Sequence, residues 1–97
     1  MSVETKEKTK TQVKLPSKYA VIFLNDDYTT VDFVVGALVN VFNYDANTAY
    51  EKTVEVDREG EAVVAILPFE IAEHKAMIVH NEAKAHGYPF RIKIEEE

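Results

Sequence analysis

The residues with the clearest chemical potential form one short acidic segment, Asn25-Asp26-Asp27, directly after an apolar stretch. Asn and Asp favour turns because their short side chains hydrogen-bond nearby backbone amides. One aspartate is enough to cap a turn, whereas two adjacent ionised aspartates repel each other. With the Asn amide they form a compact set of acceptors, which complements a primary ammonium group with its three donors and positive charge. The segment therefore predicts either a plain strand-to-helix turn or an amine-binding site.

Other kinds of reactive site find little support in the sequence. The chain has no cysteine, its only serines are Ser2 and Ser17, and it contains no glycine-rich phosphate-binding loop. A nucleophilic enzyme needs Ser or Cys with a base in reach. His74 and His80 are six residues apart, about 240° around a helix, so they cannot bind a metal together. We therefore expect no enzyme activity, no metal and no cofactor.

Charge is divided unevenly along the chain. Residues 1–18 contain five lysines and two glutamates, whereas the remainder contains six basic and fifteen acidic residues. An acidic body repels phosphate backbones, so nucleic-acid binding is disfavoured. No apolar run approaches the roughly 20 residues that span a bilayer, and the N-terminus has no apolar signal core. We expect a cytoplasmic monomer that does not enter membranes.

The 97 residues allow one domain. We predict a flexible N-terminal tail at residues 1–16 and an α+β core domain at residues 17–97. Apolar and β-branched runs predict three strands, at about residues 18–24, 62–67 and 90–94. Apolar residues at helical spacing predict three helices, at about residues 33–42, 46–56 and 69–85. Thr29 or Thr30 is the expected N-cap of the first helix, and Asp45 that of the second.

The predicted order of elements is β-α-α-β-α-β. This order indicates a small three-stranded antiparallel sheet with the three helices on one face. The first strand is apolar nearly throughout, which predicts burial on both of its faces. In the last strand apolar and charged residues alternate, which is typical of a half-buried strand at the edge of a sheet.

Longer tracts around the acidic segment resemble a known family. The sequence KYAVIFLNDDYTTVDFVVGALVNVF at residues 18–42 closely resembles the start of the ClpS adaptors. These proteins carry N-degron substrates, which are marked by their first residue, to the Clp ATP-dependent protease. EVDREGEAVVAILPFEIAEHKA at residues 55–76 and GYPFRIKIEEE at residues 87–97 resemble the family's later parts. The resemblance covers about residues 15–97.

The resemblance implies an adaptor that grips the first residue of a substrate, namely Leu, Phe, Tyr or Trp. The positions that correspond to the family's α-amino site are Asn25, Asp27 and Asp57. Those that correspond to its side-chain pocket are Asp26, Thr29, Val31, Val34, Thr53, Val56 and Phe90. The adaptor is then expected to dock on the N-terminal domain of a ClpA-type AAA+ unfoldase, through Glu70 and Lys75 with Glu73 adjacent. The tail is expected to engage the unfoldase during hand-off.

Four site residues depart from the family pattern. Asp57 stands where the family usually has a His that helps to hold the α-amino group. Val31 and Thr53 replace methionines, and Phe90 replaces a typical leucine, so the pocket is expected to differ in shape. Desolvating three neighbouring carboxylates is also expected to raise at least one of their pKa values. These changes leave an alternative open: a degenerate ClpS-like modulator that docks on the Clp ATPase without reading N-degrons.

Overall fold

The structure is a computed structural model and describes residues 17–97. The tail predicted at residues 1–16 lies outside the described residues. The strands are β1 (Lys18–Leu24), β2 (Glu61–Pro68) and β3 (Arg91–Glu96), and the helices are α1 (Val31–Phe42), α2 (Ala46–Glu59) and α3 (Phe69–Ala85). The predicted order β-α-α-β-α-β is confirmed. No helix within residues 17–97 has the length and apolar character to cross a bilayer.

The three strands form one antiparallel sheet in the order β2-β1-β3. The strand β1 lies in the middle because Tyr19 pairs with Leu67 on one side and with Glu96 on the other. The register of β1 and β2 shifts between Val21 and Ile22, which marks a bulge in β2. Since β3 pairs only with β1, the prediction that the last strand lies at an edge is confirmed.

The core lies between one face of the sheet and the helices. Val21 and Phe23 are fully buried on this face of β1, where the Phe23 ring packs edge-on against Phe42 of α1 at 5.7 Å between centroids. At the start of β1, Tyr19 packs on Phe69 of α3 at 5.0 Å. Alternate residues of a strand point to opposite faces, so the helices cover the face that carries Tyr19, Val21 and Phe23.

The opposite face of β1 has an ion pair that joins the two neighbouring strands. Ile22 points to this face and is nevertheless only 5% exposed. Lys93 is its neighbour on β3, and the Lys93 ammonium lies 3.3 Å from the Glu61 carboxylate on β2. This ion pair crosses β1, and the aliphatic part of a lysine can cover apolar surface while its ammonium stays in water.

The ends of the helices differ in detail from the predictions. Thr30, not Thr29, caps α1, because its hydroxyl accepts a hydrogen bond of 3.1 Å from the backbone N–H of Phe33. Asp45 caps α2 as predicted. The helix α2 runs to Glu59, three residues beyond the predicted end at Val56. Its last turn is exposed and lacks the apolar spacing on which the prediction depended, and it ends where Gly60 adopts a φ of 88°.

Candidate functional site

The acidic segment Asn25-Asp26-Asp27 forms a turn, the acidic turn, that a backbone hydrogen bond connects to the end of α2. The Asn25 N–H donates a hydrogen bond of 2.9 Å to the Gly60 carbonyl. Gly60 has the left-handed conformation that glycine adopts without steric cost. This contact holds the C-terminal end of β1 beside the last turn of α2, which carries Asp57. Residues that are 30 positions apart in the sequence, such as Asp27 and Asp57, therefore border the same cavity.

Asp26 stabilises the turn itself. One of its carboxylate oxygens accepts hydrogen bonds from the N–H groups of Tyr28 (2.8 Å) and Thr29 (2.7 Å), and the other accepts one from the Thr29 hydroxyl (2.8 Å). Partial burial opposes the ionisation of Asp26. The hydrogen bonds from Thr29 and Tyr28, together with the nearby charge of Arg91, outweigh this effect and lower its pKa. Asp26 is therefore not a carboxylate whose pKa is raised by its acidic neighbours.

Asn25, Asp27 and Asp57 differ from Asp26 in that their side chains have no partner within residues 17–97. Among residues 17–97, these three side chains make no hydrogen bond and no ion pair. All three are exposed. Their oxygens can therefore accept hydrogen bonds from an incoming group without first breaking contacts within the described part of the protein. No group of three or more His, Asp or Glu residues in that part is arranged to hold a metal ion.

One cavity of about 290 Å³ brings the predicted site residues together. It is formed by the acidic turn, the first turn of α1, the second half of α2 and the residue before β3. Its lining consists of Asn25, Asp26, Asp27, Thr29, Val31, Val34, Thr53, Val56, Asp57 and Phe90. These are the ten positions that the family resemblance indicated for the α-amino group and the side-chain pocket. Their individual roles remain predictions.

The cavity has a polar rim and a mainly apolar floor. Asn25, Asp27 and Asp57 are exposed at the rim, whereas the residues of the floor are at most 6% exposed, namely Val34, Thr53, Val56 and Phe90. The Phe90 ring is fixed from behind by an edge-on contact with Phe23, with 5.0 Å between centroids. This arrangement can take a ligand whose cationic end stays at the rim while its apolar end enters the floor.

A larger groove, of about 450 Å³, lies between α1 and α3. It is bordered by Asp32 and Phe33 of α1 and by Ile78 and Glu82 of α3. No residue of the acidic turn contributes to it. Its volume alone therefore does not mark it as the amine-binding site, and the smaller cavity remains the candidate.

The residues expected to contact the ATPase are divided between two sides of α3. Glu70 and Lys75 line a second groove between α1 and α3, distinct from the one bordered by Asp32 and Glu82. Glu73 lines another groove, between α3 and β3. Residues 73 and 75 are two positions apart, about 200° around a helix, so they point in nearly opposite directions. Lys75 also has a structural contact, because its ammonium donates a hydrogen bond of 2.6 Å to the Val41 carbonyl near the end of α1.

Arg91 is a neighbour of the site that the sequence did not indicate. It pairs with Leu24, the last residue of β1, and its charge contributes to the lowered pKa of Asp26. The relevant signal is the register between β1 and β3, which places Arg91 beside the acidic turn. This register depends on the assembled sheet, so the spacing of residues along the chain does not reveal it.

Comparisons with known proteins agree with this architecture. Residues 14–93 match the family model described as ATP-dependent Clp protease adaptor protein ClpS. The chain is 42% identical over 96 residues to the ClpS adapter of Nautilia profundicola, with 99% of each chain covered. It is 46% identical over 84 residues to that of Nitratidesulfovibrio vulgaris (strain DP4), covering 87% of this chain and 81% of the relative.

A solved structure has the same fold. It is Agrobacterium tumefaciens ClpS2 bound to L-phenylalaninamide, which is 36% identical to this chain with a TM-score of 0.83. The match covers 86% of this chain and all of that chain. The fold and these matches define an adaptor of an ATP-dependent protease, a class that serves the protease without being one. The chain belongs to the ClpS family and is an adaptor of the Clp protease.

Proposed function

We propose that this adaptor binds the free N-terminal residue of N-degron substrates and delivers these substrates to a ClpA-type unfoldase of the Clp protease. The preferred first residues are large and apolar: Leu, Phe, Tyr and Trp. The observation that carries the proposal is the single cavity whose rim has acceptor side chains without partners in the described part of the chain, and whose buried floor is mainly apolar. A free N-terminal residue likewise combines a cationic amine with an apolar side chain.

The rim is suited to an ammonium group. A protein N-terminus offers three N–H donors and one positive charge. Asn25, Asp27 and Asp57 offer three side-chain acceptors, two of them charged, and these acceptors have no partner within residues 17–97. Since Asp26 is already engaged by Tyr28 and Thr29, we assign it to the support of the turn rather than to direct contact with the amine.

The floor is suited to one large side chain. A cavity of about 150 Å³ is sufficient to bind benzene in an engineered protein. The 290 Å³ here therefore accommodate a phenylalanine ring with its Cβ and part of the backbone. In support of this proposal, a relative with the same fold, Agrobacterium tumefaciens ClpS2, has been solved with L-phenylalaninamide, which has a free α-amino group and an aromatic side chain.

The expected affinity is moderate. Burial of one Leu or Phe side chain contributes about 1.5–3 kcal/mol. Each charge-assisted hydrogen bond contributes roughly 1.5–3 kcal/mol. Association costs on the order of 4–15 kcal/mol in lost translational and rotational freedom. A moderate affinity suits an adaptor, because the substrate must leave the cavity when it is handed over.

For delivery, we propose that the unfoldase binds the groove between α1 and α3 that contains Glu70 and Lys75. This surface exposes Ile71 and Ile78 beside the charged residues. Protein interfaces combine an apolar centre with a polar rim. Because Glu73 lines the other side of α3, we expect its contribution to docking to be smaller than that of Glu70.

The direct test is a titration with peptides that differ only at the N-terminus. We expect a Phe-initiated peptide and a Leu-initiated peptide to bind at least tenfold more tightly than their N-acetyl copies and than a Ser-initiated control. Equal binding of all of these peptides would rule out the proposal. Binding to the ClpA N-terminal domain without any peptide binding would instead identify the degenerate modulator.

A further inference from the structure

Thr53 is an unusual residue in the floor of the cavity. It is 5% exposed and is the only polar or charged residue that is buried within the described part of the chain. The other three floor residues, Val34, Val56 and Phe90, have no polar side-chain atoms. A buried residue that carries a hydroxyl therefore lines a cavity whose other floor side chains are apolar.

The Thr53 hydroxyl has capacity for a second hydrogen bond. Its one O–H group donates to the Ala49 carbonyl at 2.8 Å, one turn earlier in α2. A hydroxyl oxygen also has two lone pairs that can accept hydrogen bonds. Within residues 17–97, no donor bonds to this oxygen. The bond to Ala49 satisfies the donor and leaves the acceptor for a ligand.

The position of Thr53 relative to the rim determines which ligand atom can use this acceptor. With the α-amino group at Asn25, Asp27 and Asp57, the far end of an aromatic side chain enters the floor. Tyrosine has an O–H group at that end, and phenylalanine has none. A buried hydroxyl without a partner is costly, and the side chains of Val34, Val56 and Phe90 offer it no acceptor.

We infer that Thr53 is a specificity-determining residue, and that its hydroxyl oxygen accepts a hydrogen bond from the phenol of an N-terminal tyrosine. The substrate class favoured by this site is then Tyr-initiated over Phe-initiated N-degrons. The inference depends on the proposed function. One neutral hydrogen bond corresponds to a preference of about 3- to 10-fold.

The experiment uses two peptides that differ only in Tyr or Phe at the first position, with N-acetyl copies of both. They are titrated against the full chain and against two variants. Thr53→Val keeps the shape of the side chain but removes the hydroxyl, and Thr53→Ser keeps the hydroxyl. We expect a Tyr-to-Phe affinity ratio of about 3–10 in the parent and of 1 or less in Thr53→Val, because the buried tyrosine hydroxyl then lacks its partner. In Thr53→Ser we expect the ratio to be retained, even if both affinities fall.

A ratio near 1 in the parent would overturn the inference, as would an unchanged ratio in Thr53→Val. Because the ratio is measured within each protein, a general loss of affinity in a variant does not imitate the effect, and the parent and Thr53→Ser remain informative if Thr53→Val folds poorly. If the free peptides bind no better than their acetylated copies, the proposed function and this inference both fail. If they bind better but show no tyrosine preference, only the inference fails.

Discussion

The two adjacent aspartates of the acidic turn differ in their hydrogen bonding. Asp26 accepts three hydrogen bonds from Tyr28 and Thr29, whereas the Asp27 side chain has no partner within residues 17–97. The hydrogen bonds from Thr29 and Tyr28 favour the ionised form of Asp26, against the effect of its partial burial. At the scale of the residue, the turn and the proposed amine site are therefore built by different side chains of the same segment.

Asp26 is expected to make stability dependent on pH. Its lowered pKa means that it stabilises the fold above the ordinary aspartate pKa of about 4, and that this contribution is lost as the pH falls through the lowered value. Asp26→Asn should lower the free energy of unfolding by about 1–3 kcal/mol at pH 7, because an amide cannot accept from the Thr29 hydroxyl through its nitrogen. Urea unfolding between pH 7 and pH 3 measures this. A difference from the parent that does not shrink below about pH 4 would contradict the assignment.

Asp57 is expected to determine how binding responds to pH. An imidazole ordinarily titrates between pH 5 and 8 and repels an ammonium group once it is protonated. We expect Asp57→His to bind a Phe-initiated peptide several-fold more weakly at pH 5.5 than at pH 7.5, while the parent changes less. Fluorescence anisotropy at both pH values measures this, with Asp57→Asn as a variant that does not titrate. The same pH response in all three proteins would show that Asp57 does not face the amine.

At the scale of the elements, the start of α1 supports one side of the cavity. The Thr30 hydroxyl caps the helix through Phe33 N–H, and the next residues of the helix include Val31 and Val34 of the lining. Thr30→Ala should lower the free energy of unfolding by about 1 kcal/mol, since an N-cap is lost. Thr30→Ser should keep most of the parent's free energy of unfolding, because serine also caps a helix. Chemical denaturation measures both variants, and equal stability of Thr30→Ala and the parent would contradict the role of the cap.

At the scale of the whole molecule, the cavity and the proposed docking groove are separate surfaces. The cavity is lined by the acidic turn, α1, α2 and the residue before β3, whereas Glu70 lies on α3. Glu70→Lys should therefore weaken binding to a ClpA N-terminal domain by about tenfold or more through charge reversal. It should leave peptide affinity unchanged. Lys75 is less suitable for substitution, because its bond to the Val41 carbonyl also supports α1. Loss of peptide binding in Glu70→Lys would contradict the separation.

The sequence predicted the elements well because their signals are local. The apolar β1 and the α3 that begins after Pro68 illustrate this, and the family resemblance supplied the residues of the cavity. The features that the sequence did not predict depend on how the elements assemble in the folded protein. Thr30 rather than Thr29 caps α1, because Asp26 already binds Thr29 in the folded turn. The Lys93–Glu61 ion pair across β1 also requires the strand order β2-β1-β3, which brings distant residues together.

The most direct measurement compares Asp27→Asn with the parent, using a free Phe-initiated peptide and its N-acetyl copy. Asp32→Asn is the matched control, since it removes the same charge from an exposed residue outside the cavity. We expect Asp27→Asn to weaken binding of the free peptide by about tenfold or more and to leave binding of the acetylated peptide unchanged. Only the free amine carries the charge that Asp27 faces. Asp32→Asn should bind both peptides as the parent does. Equal losses for both peptides, or no loss for either, would contradict an N-terminal amine site at Asp27.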